Sequence, residues 1–319
     1  MTVVCAGEMM AAFRSRGPLR LGGPAHLSVA GAEANVAIGL TRLGVPSAWI
    51  GVVGDDELGA LVRRTLTAEG VACTARVDPS RPTGVVVFEP AAGLRTRAAY
   101  YRRDSAGSTL GPGDVELGLN GAAVDAVLTS GITAALSDAS AAAARRLLEE
   151  GRRRGSLTCL SVNYRSALWS RETAASALPD LVALADLVIA SASELGLAAG
   201  VPGPASDDAG LDEMAETILR AGPWEVVVTK GGAGASAYTA EGRVDQAALE
   251  VPVVDTIGAG DAFTAGYLSA RLEGRPIAER LSTGAAAAAF CIGVSGDWEG
   301  LPTRRDLKLV EIEVGDALR

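Results

Sequence analysis

Lysine is nearly missing from this chain. Of its 29 basic residues, only Lys230 and Lys308 are lysines. Arginine therefore stands wherever a cation is needed, and a lysine kept at Lys230, where a β-branched run ends, hints that a compact ammonium matters there. There is one histidine, His26, so catalysis resting on paired histidines and histidine-rich metal sites are excluded. His26 itself reads as a loop or lid residue. Aromatics make up only 4% of the chain against 48% hydrophobic residues, a balance that suits an Ala/Val/Leu-rich α/β protein. The four cysteines, at 5, 73, 159 and 291, are far apart and lie mostly in apolar runs, so buried reduced thiols are expected rather than disulfides. No apolar run reaches the ~18 residues of a membrane span. The N-terminus lacks the basic, apolar and cleavage-site succession of a secretory signal. A cytoplasmic protein without membrane contact is the expectation. The net charge of −9 argues against nonspecific binding to nucleic acid.

The sequence is rich in alternation. Short β-branched runs (3–6, 49–53, 126–129, 157–162, 187–190 and 226–229) are separated by helical stretches at about 31–43, 55–69, 138–154, 171–185, 211–221, 259–272 and 276–291. The runs lack a polar alternation, as strands buried on both faces do. The pattern predicts an α/β fold of three layers, with a mostly parallel central sheet and helices on both sides. Two segments break the rhythm, about 11–30 and 82–103. They are short, mixed and strand-like, and are expected to form a small β-sheet lid on a single domain spanning 1–319. An exposed lid sheet is a natural pairing edge, so a homo-oligomer through the lid is expected.

The most informative stretch is Asp255-Thr-Ile-Gly-Ala-Gly-Asp-Ala-Phe263. Gly258 and Gly260 flank Ala259 at a predicted helix start, where free N–H groups make an anion site. The stretch is not a Walker loop, because G-x-x-x-x-G-K-[ST] occurs nowhere in the chain. It also fails the dinucleotide fingerprint, because Phe263 stands in place of the third glycine; this disfavours an NAD-binding oxidoreductase. A site that only held phosphates would gain nothing from Asp261. A site that moves a phosphoryl group onto a hydroxyl needs both a carboxylate base and backbone donors. The plain structural alternative is a first-turn acid favoured by the helix dipole.

The surroundings decide between these readings. Residues 254–268 resemble the C-terminal signature of the ribokinase-like (PfkB) carbohydrate kinases, and Ala30–Gly44 with Gly51–Gly59 resemble its N-terminal one. The resemblance spans essentially the whole chain. Within that family, "YYRRDSAGSTL" (100–110), "SGITAALS" (130–137), "VNYRSALW" (162–169) and "GDWEGLP" (296–302) are similar to the kinases of 2-keto-3-deoxygluconate. The resemblance implies ATP with Mg2+ and allows a monovalent cation (K+). It implies transfer to the terminal 6-hydroxyl of the sugar acid, with Asp261 as base and Gly258, Ala259 and Gly260 as anion hole. By the same resemblance Gly31, Asn35, Tyr100, Arg102, Arg165, Asp261 and Asp297 would line the sugar site. Asn163, Ser193, Lys230, Gly231, Gly232, Gly234, Gly258, Ala259 and Gly260 would serve the nucleotide, and Glu194 would position the metal through water.

Three positions depart from the family pattern. Ala30 replaces one of a glycine pair, Val86 replaces an aromatic lid residue, and Ser191-Ala192-Ser193-Glu194 keeps only the acid of N-x-x-E. Arginine's planar fork suits a carboxylate, so Arg165 and Arg102 are the candidate clamp for a sugar acid. Two alternatives stay open. One is a PfkB-type kinase of another sugar, such as fructose or a deoxyketose. The other is a non-catalytic sugar or nucleotide sensor on the same fold.

Overall fold

The computed structural model describes residues 2–91 and 95–308. Residues 92–94 of the expected lid segment, and Met1 and 309–319 of the expected single domain, lie outside the described residues. Among the described residues the strands run β1 Val3–Ala6, β2 Met10–Ser15, β3 Ala25–Ala30, β4 Ser47–Gly54, β5 Ala72–Asp78, β6 Val85–Ala91, β7 Arg95–Tyr101, β8 Ala126–Ser130, β9 Leu157–Ser161, β10 Leu187–Ser191, β11 Glu225–Thr229, β12 Ala235–Thr239 and β13 Gly242–Gln246. The helices are α1 Ala32–Arg42, α2 Glu57–Ala68, α3 Pro112–Leu119, α4 Gly131–Leu136, α5 Asp138–Arg154, α6 Arg171–Val182, α7 Leu195–Ala198, α8 Asp208–Ala221, α9 Ala259–Leu272, α10 Ile277–Ile292 and α11 Arg304–Leu307.

Nine strands form one sheet in the order β13-β12-β11-β10-β9-β8-β1-β4-β5. Its strands pair parallel from β5 to β11, and only β12 and β13 run antiparallel. The strands are apolar throughout because both faces are covered. Along β1, Val4 and Ala6 pack with helices α3, α5, α6 and α8. Val3 and Cys5, alternating with them, pack with α1, α2, α9 and α10. The helices start where side chains can accept the first N–H groups: Asp56 caps α2, Ser137 caps α5, Ser170 caps α6 and Asp207 caps α8.

A second sheet of four strands, ordered β3-β2-β6-β7, stands off the first. β2 and β6 pair parallel, and the outer pairs are antiparallel. Met10, Ala12, Ala30, Val86 and Phe88 form its inner apolar face, and Ile257 packs against it from the main body. This architecture is the ribokinase-like layered fold with a lid that the sequence led us to expect.

Three strands were not read from the sequence. β5 (Ala-Cys-Thr-Ala-Arg-Val-Asp) is an edge strand with much of its length exposed, so no apolar run marks it. β12 and β13 form a tight hairpin whose second strand, Gly-Arg-Val-Asp-Gln, is largely polar. Three of the four cysteines are buried and Cys73 is half-buried; all four are free. Burial pushes the Cys5 and Cys159 thiols well up, so they stay protonated and unreactive. Among the described residues no helix is long and apolar enough to cross a membrane.

Candidate active site

A cleft of about 1120 Å³ runs between the lid and the ends of the parallel strands. In sheets of this kind, ligands bind outside the carboxyl ends of the strands. Here Glu8 follows β1, Asn163 and Arg165 follow β9, Ser191 ends β10 and Thr229 ends β11; all five line the cleft.

The anion turn lies at its centre. Gly258 opens α9 with φ 79°, a left-handed conformation that favours glycine. A Cβ there would also sit 2.0 Å from the Asp297 carbonyl oxygen, so any side chain is excluded. The first helical ladder bond is Ala262 N–H to Gly258 C=O. The N–H groups of Ala259, Gly260 and Asp261 therefore come before the ladder, at the positive end of a 14-residue helix. A Cβ on Gly260 would meet nothing within 4 Å, which leaves that side of the turn open to a ligand.

Asp261 is the acid of the turn. Asn35 donates from Nδ2 to its Oδ2 at 2.8 Å. Asn35 is 3% exposed and its Oδ1 has no protein partner, so an acceptor faces this spot unmet. Burial pushes the Asp261 carboxyl up to about 7; the Asn35 bond and the Arg165 charge oppose that rise, and Glu33 adds to it. A base poised near neutrality suits proton abstraction from a hydroxyl. Asp297 lies close by, pushed up to about 8 mainly by burial, with Arg14 opposing and Asp261, Glu299 and Asp255 reinforcing the rise. Glu33, fully buried, accepts from the Ser130 and Thr133 hydroxyls, and burial also raises its pKa.

The two candidate clamp arginines differ in their surroundings. Arg102 is 7% exposed; its Nε donates to Glu8 Oε2 at 2.7 Å, and its Nη2 lies 2.6 Å from the same oxygen in an ion pair. The Glu8 carboxylate is itself buried, with Ser105 donating to its other oxygen. It fits because Gly84 and Gly107 carry no side chain: a Cβ on either would fall within 2.8 Å of it. Arg165 donates from Nη1 to the Tyr164 carbonyl at 3.0 Å. Among the described residues no carboxylate pairs with it. It is half-buried, faces the cleft, and is near enough to Asp261 to favour its ionised form.

These features fit transfer of a phosphoryl group to a hydroxyl, and the comparison with known proteins agrees. The sequence pattern of "pfkB family carbohydrate kinase" matches residues 2–304. The chain belongs to the pfkB family. It is a carbohydrate kinase. The pfkB-family chain is 34% identical over 314 residues to the 2-dehydro-3-deoxygluconokinase of Thermoproteus tenax, covering 96% of this chain and 93% of that protein. Its fold superposes on the crystal structure of 2-dehydro-3-deoxygluconokinase from Thermotoga maritima with a TM-score of 0.88, at 22% identity and 97% and 99% coverage. It also superposes on a putative ribokinase II from E. coli solved in complex with ATP and Mg2+, with a TM-score of 0.83, at 21% identity and 96% and 97% coverage.

Most of the residues singled out in the pfkB sequence line this cleft: Gly31, Asn35, Tyr100, Arg102, Arg165, Asp261, Asp297, Asn163, Gly231, Gly232, Gly234, Gly258, Ala259 and Gly260. Asn163 adopts the left-handed conformation, φ 37°. Two residues are not brought into the lining. Ser193 is exposed and its hydroxyl bonds to Ser191 at 3.0 Å. Lys230 points its ammonium at Asp245, 3.4 Å away, and its backbone N–H closes the glycine turn onto Gly234. Glu194 lines the cleft, but its two oxygens accept the backbone N–H groups of Tyr164 and Ser191 at 2.9 and 3.1 Å. Among the described residues no cluster of three or more His, Cys, Asp or Glu could hold a metal.

Several site residues were missed. Glu8 and Glu33 were not singled out in the sequence, because nothing local marks them as buried. Arg14 and Asp255 pair across 241 positions of sequence, which no single-sequence pattern can report. Val86, where an aromatic was expected, lines the cleft, and Phe88 on the same face of β6 supplies a ring two positions along.

Proposed function

We propose that this carbohydrate kinase transfers the γ-phosphoryl group of ATP to the terminal hydroxyl of 2-keto-3-deoxygluconate, giving 2-keto-3-deoxy-6-phosphogluconate and ADP. Asp261 takes the proton of the attacking hydroxyl. The new oxygen–phosphorus bond forms as the bond to ADP's bridging oxygen breaks. The N–H groups of Ala259, Gly260 and Asp261 meet the charge on the transferring group. Magnesium, bound with ATP, offsets the charge of the nucleotide's phosphates. Asn35, with its unmet Oδ1, accepts from a sugar hydroxyl and keeps Asp261 aimed. The glycine turn 231–234 and the small apolar residues Ala285, Ala288 and Ala289 border the nucleotide's end of the cleft.

Arg165 carries the choice of substrate. It is a cation in the cleft with no carboxylate of its own, whereas Arg102 is neutralised by Glu8. A sugar acid completes Arg165; a neutral sugar leaves it unpaired. The name of the T. tenax protein favours the same reading. A neutral ketose such as fructose is the competing substrate. A charge-assisted hydrogen bond contributes about 1.5–3 kcal/mol, and each ~1.4 kcal/mol is tenfold. Arg165→Ala should therefore lower kcat/KM for 2-keto-3-deoxygluconate by about 10- to 100-fold and that for fructose much less. A wild type that prefers fructose, or an equal penalty on both sugars, would remove the sugar-acid assignment.

A further inference from the structure

One lid side chain reaches both loops that build the anion turn. Arg14 extends from β2, with its guanidinium 4.5 Å from the centre of the Phe88 ring on β6. Its Nη1 donates to Asp255 Oδ2 at 2.6 Å, and its Nη2 to Asp297 Oδ1 at 3.4 Å. Both carboxylates are only 6% exposed, so this is a nearly water-free junction. Asp255 starts the turn, and its other oxygen accepts Ile257 N–H at 3.2 Å. Asp297 belongs to the loop whose carbonyl presses on Gly258. The Cys291 thiol touches both strands of this junction, at the Ile257 and Asp297 carbonyls.

We propose that Arg14 is a positioning residue that couples sugar binding beneath the lid to the set of the Gly258–Gly260 turn, and so to nucleotide binding. The guanidinium fork can hold two carboxylates in fixed directions at once. A lid that lifts carries Arg14 away and strands two buried acids, which is costly. Lid and turn therefore favour one joint arrangement. A sugar that holds the lid down stabilises the turn, and a nucleotide seated on the turn holds the lid by the same factor. Arg14 itself is not among the cleft-lining residues, so it acts through the two acids. The inference rests on the reading that sugar lies under the lid and nucleotide at the turn.

The test is calorimetric titration of Mg2+-ADP with and without saturating 2-keto-3-deoxygluconate, in wild type, Arg14→Gln and Arg14→Lys. In wild type the sugar should tighten ADP by at least about fivefold, the lower end of ordinary coupling. In Arg14→Gln that ratio should fall to within about twofold of one while each ligand alone binds within about threefold of wild type. Lysine, a single point charge, should restore only part of the ratio. Arg14→Gln leaves Asp255 unpaired, so the neutral double variant Arg14→Gln/Asp255→Asn is measured beside it and should show the same lost coupling. A wild-type ratio near one, or a full ratio retained in either glutamine variant, overturns the proposal. A wild type that ignores the sugar acid overturns the substrate reading alone, and the ratio is then read with fructose.

Discussion

The two halves of the cleft are built from different material. Beneath the lid the cleft is framed by charged side chains: Glu8 against Arg102, Asp261 against Asn35, and Arg165 with no carboxylate partner among the described residues, while Arg14, outside the lining, pairs with Asp255 and Asp297. The rest of the lining includes Gly231, Gly232, Gly234 and small apolar residues together with Glu194 and Glu250; Glu194 is held by backbone N–H groups, and Lys230, outside the lining, faces Asp245. Backbone donors read a phosphate wherever it occurs. On the proposed reading, the buried charges under the lid meet the sugar's hydroxyls and carboxylate, so the lid half would set which sugar enters.

The hardest test of this contrast is Asp261→Asn. It should keep the fold and still bind Mg2+-ADP, yet lose about 10²–10⁴ in kcat, the range of a positioned base. Turnover within a few-fold of wild type would make Asp261 a dipole-complementing acid with no chemical part. A second test uses pH. The base must be ionised, and its carboxyl lies at about 7, so kcat/KM should rise about tenfold per pH unit below that value and level off above it. Arg165→Ala removes a charge that favours ionised Asp261, so the rising limb should move to higher pH. A limb that stays near pH 4, or one that Arg165→Ala leaves in place, would break the link between the two residues.

The smallest effect is expected in the nucleotide half. Glu194 is held by two backbone donors, so Glu194→Gln should lower Tm by several degrees for the loss of one half-buried acceptor. It should move the magnesium concentration for half-maximal rate by less than about twofold, because both carboxylate oxygens are already taken by backbone donors. A several-fold shift in magnesium dependence would put Glu194 at the metal through water and make the two halves more alike.

What the sequence disclosed follows the same division. Strands β1, β4, β8, β9, β10 and β11 announced themselves as apolar runs because burial on both faces allows little else. The turn at Gly258–Gly260 was legible because its glycines, acid and helix are contiguous. The lid strands were legible only as breaks in the rhythm. The charged lattice was not legible, because each of its pairs joins distant positions: Glu8 to Arg102 across 94 residues, Arg14 to Asp297 across 283. Arg102 looked like a free clamp for the same reason, since the acid that occupies it lies elsewhere in the sequence. "GDWEG" was read as a sugar signature, but the same residues also fasten lid strand β3 to the main body. The Trp298 indole N–H donates to the Val29 carbonyl, and Ser28 bonds Glu299.

The seat of Glu8 constrains how such an enzyme can diversify. Its carboxylate fills the space that side chains at Gly84 and Gly107 would otherwise take. A side chain at either glycine therefore becomes possible only after Glu8 is replaced by a smaller residue, which leaves a void beside Arg102. Positions 8, 84 and 107 form a single epistatic unit, and a library confined to the cleft lining would leave Gly84 and Gly107 out.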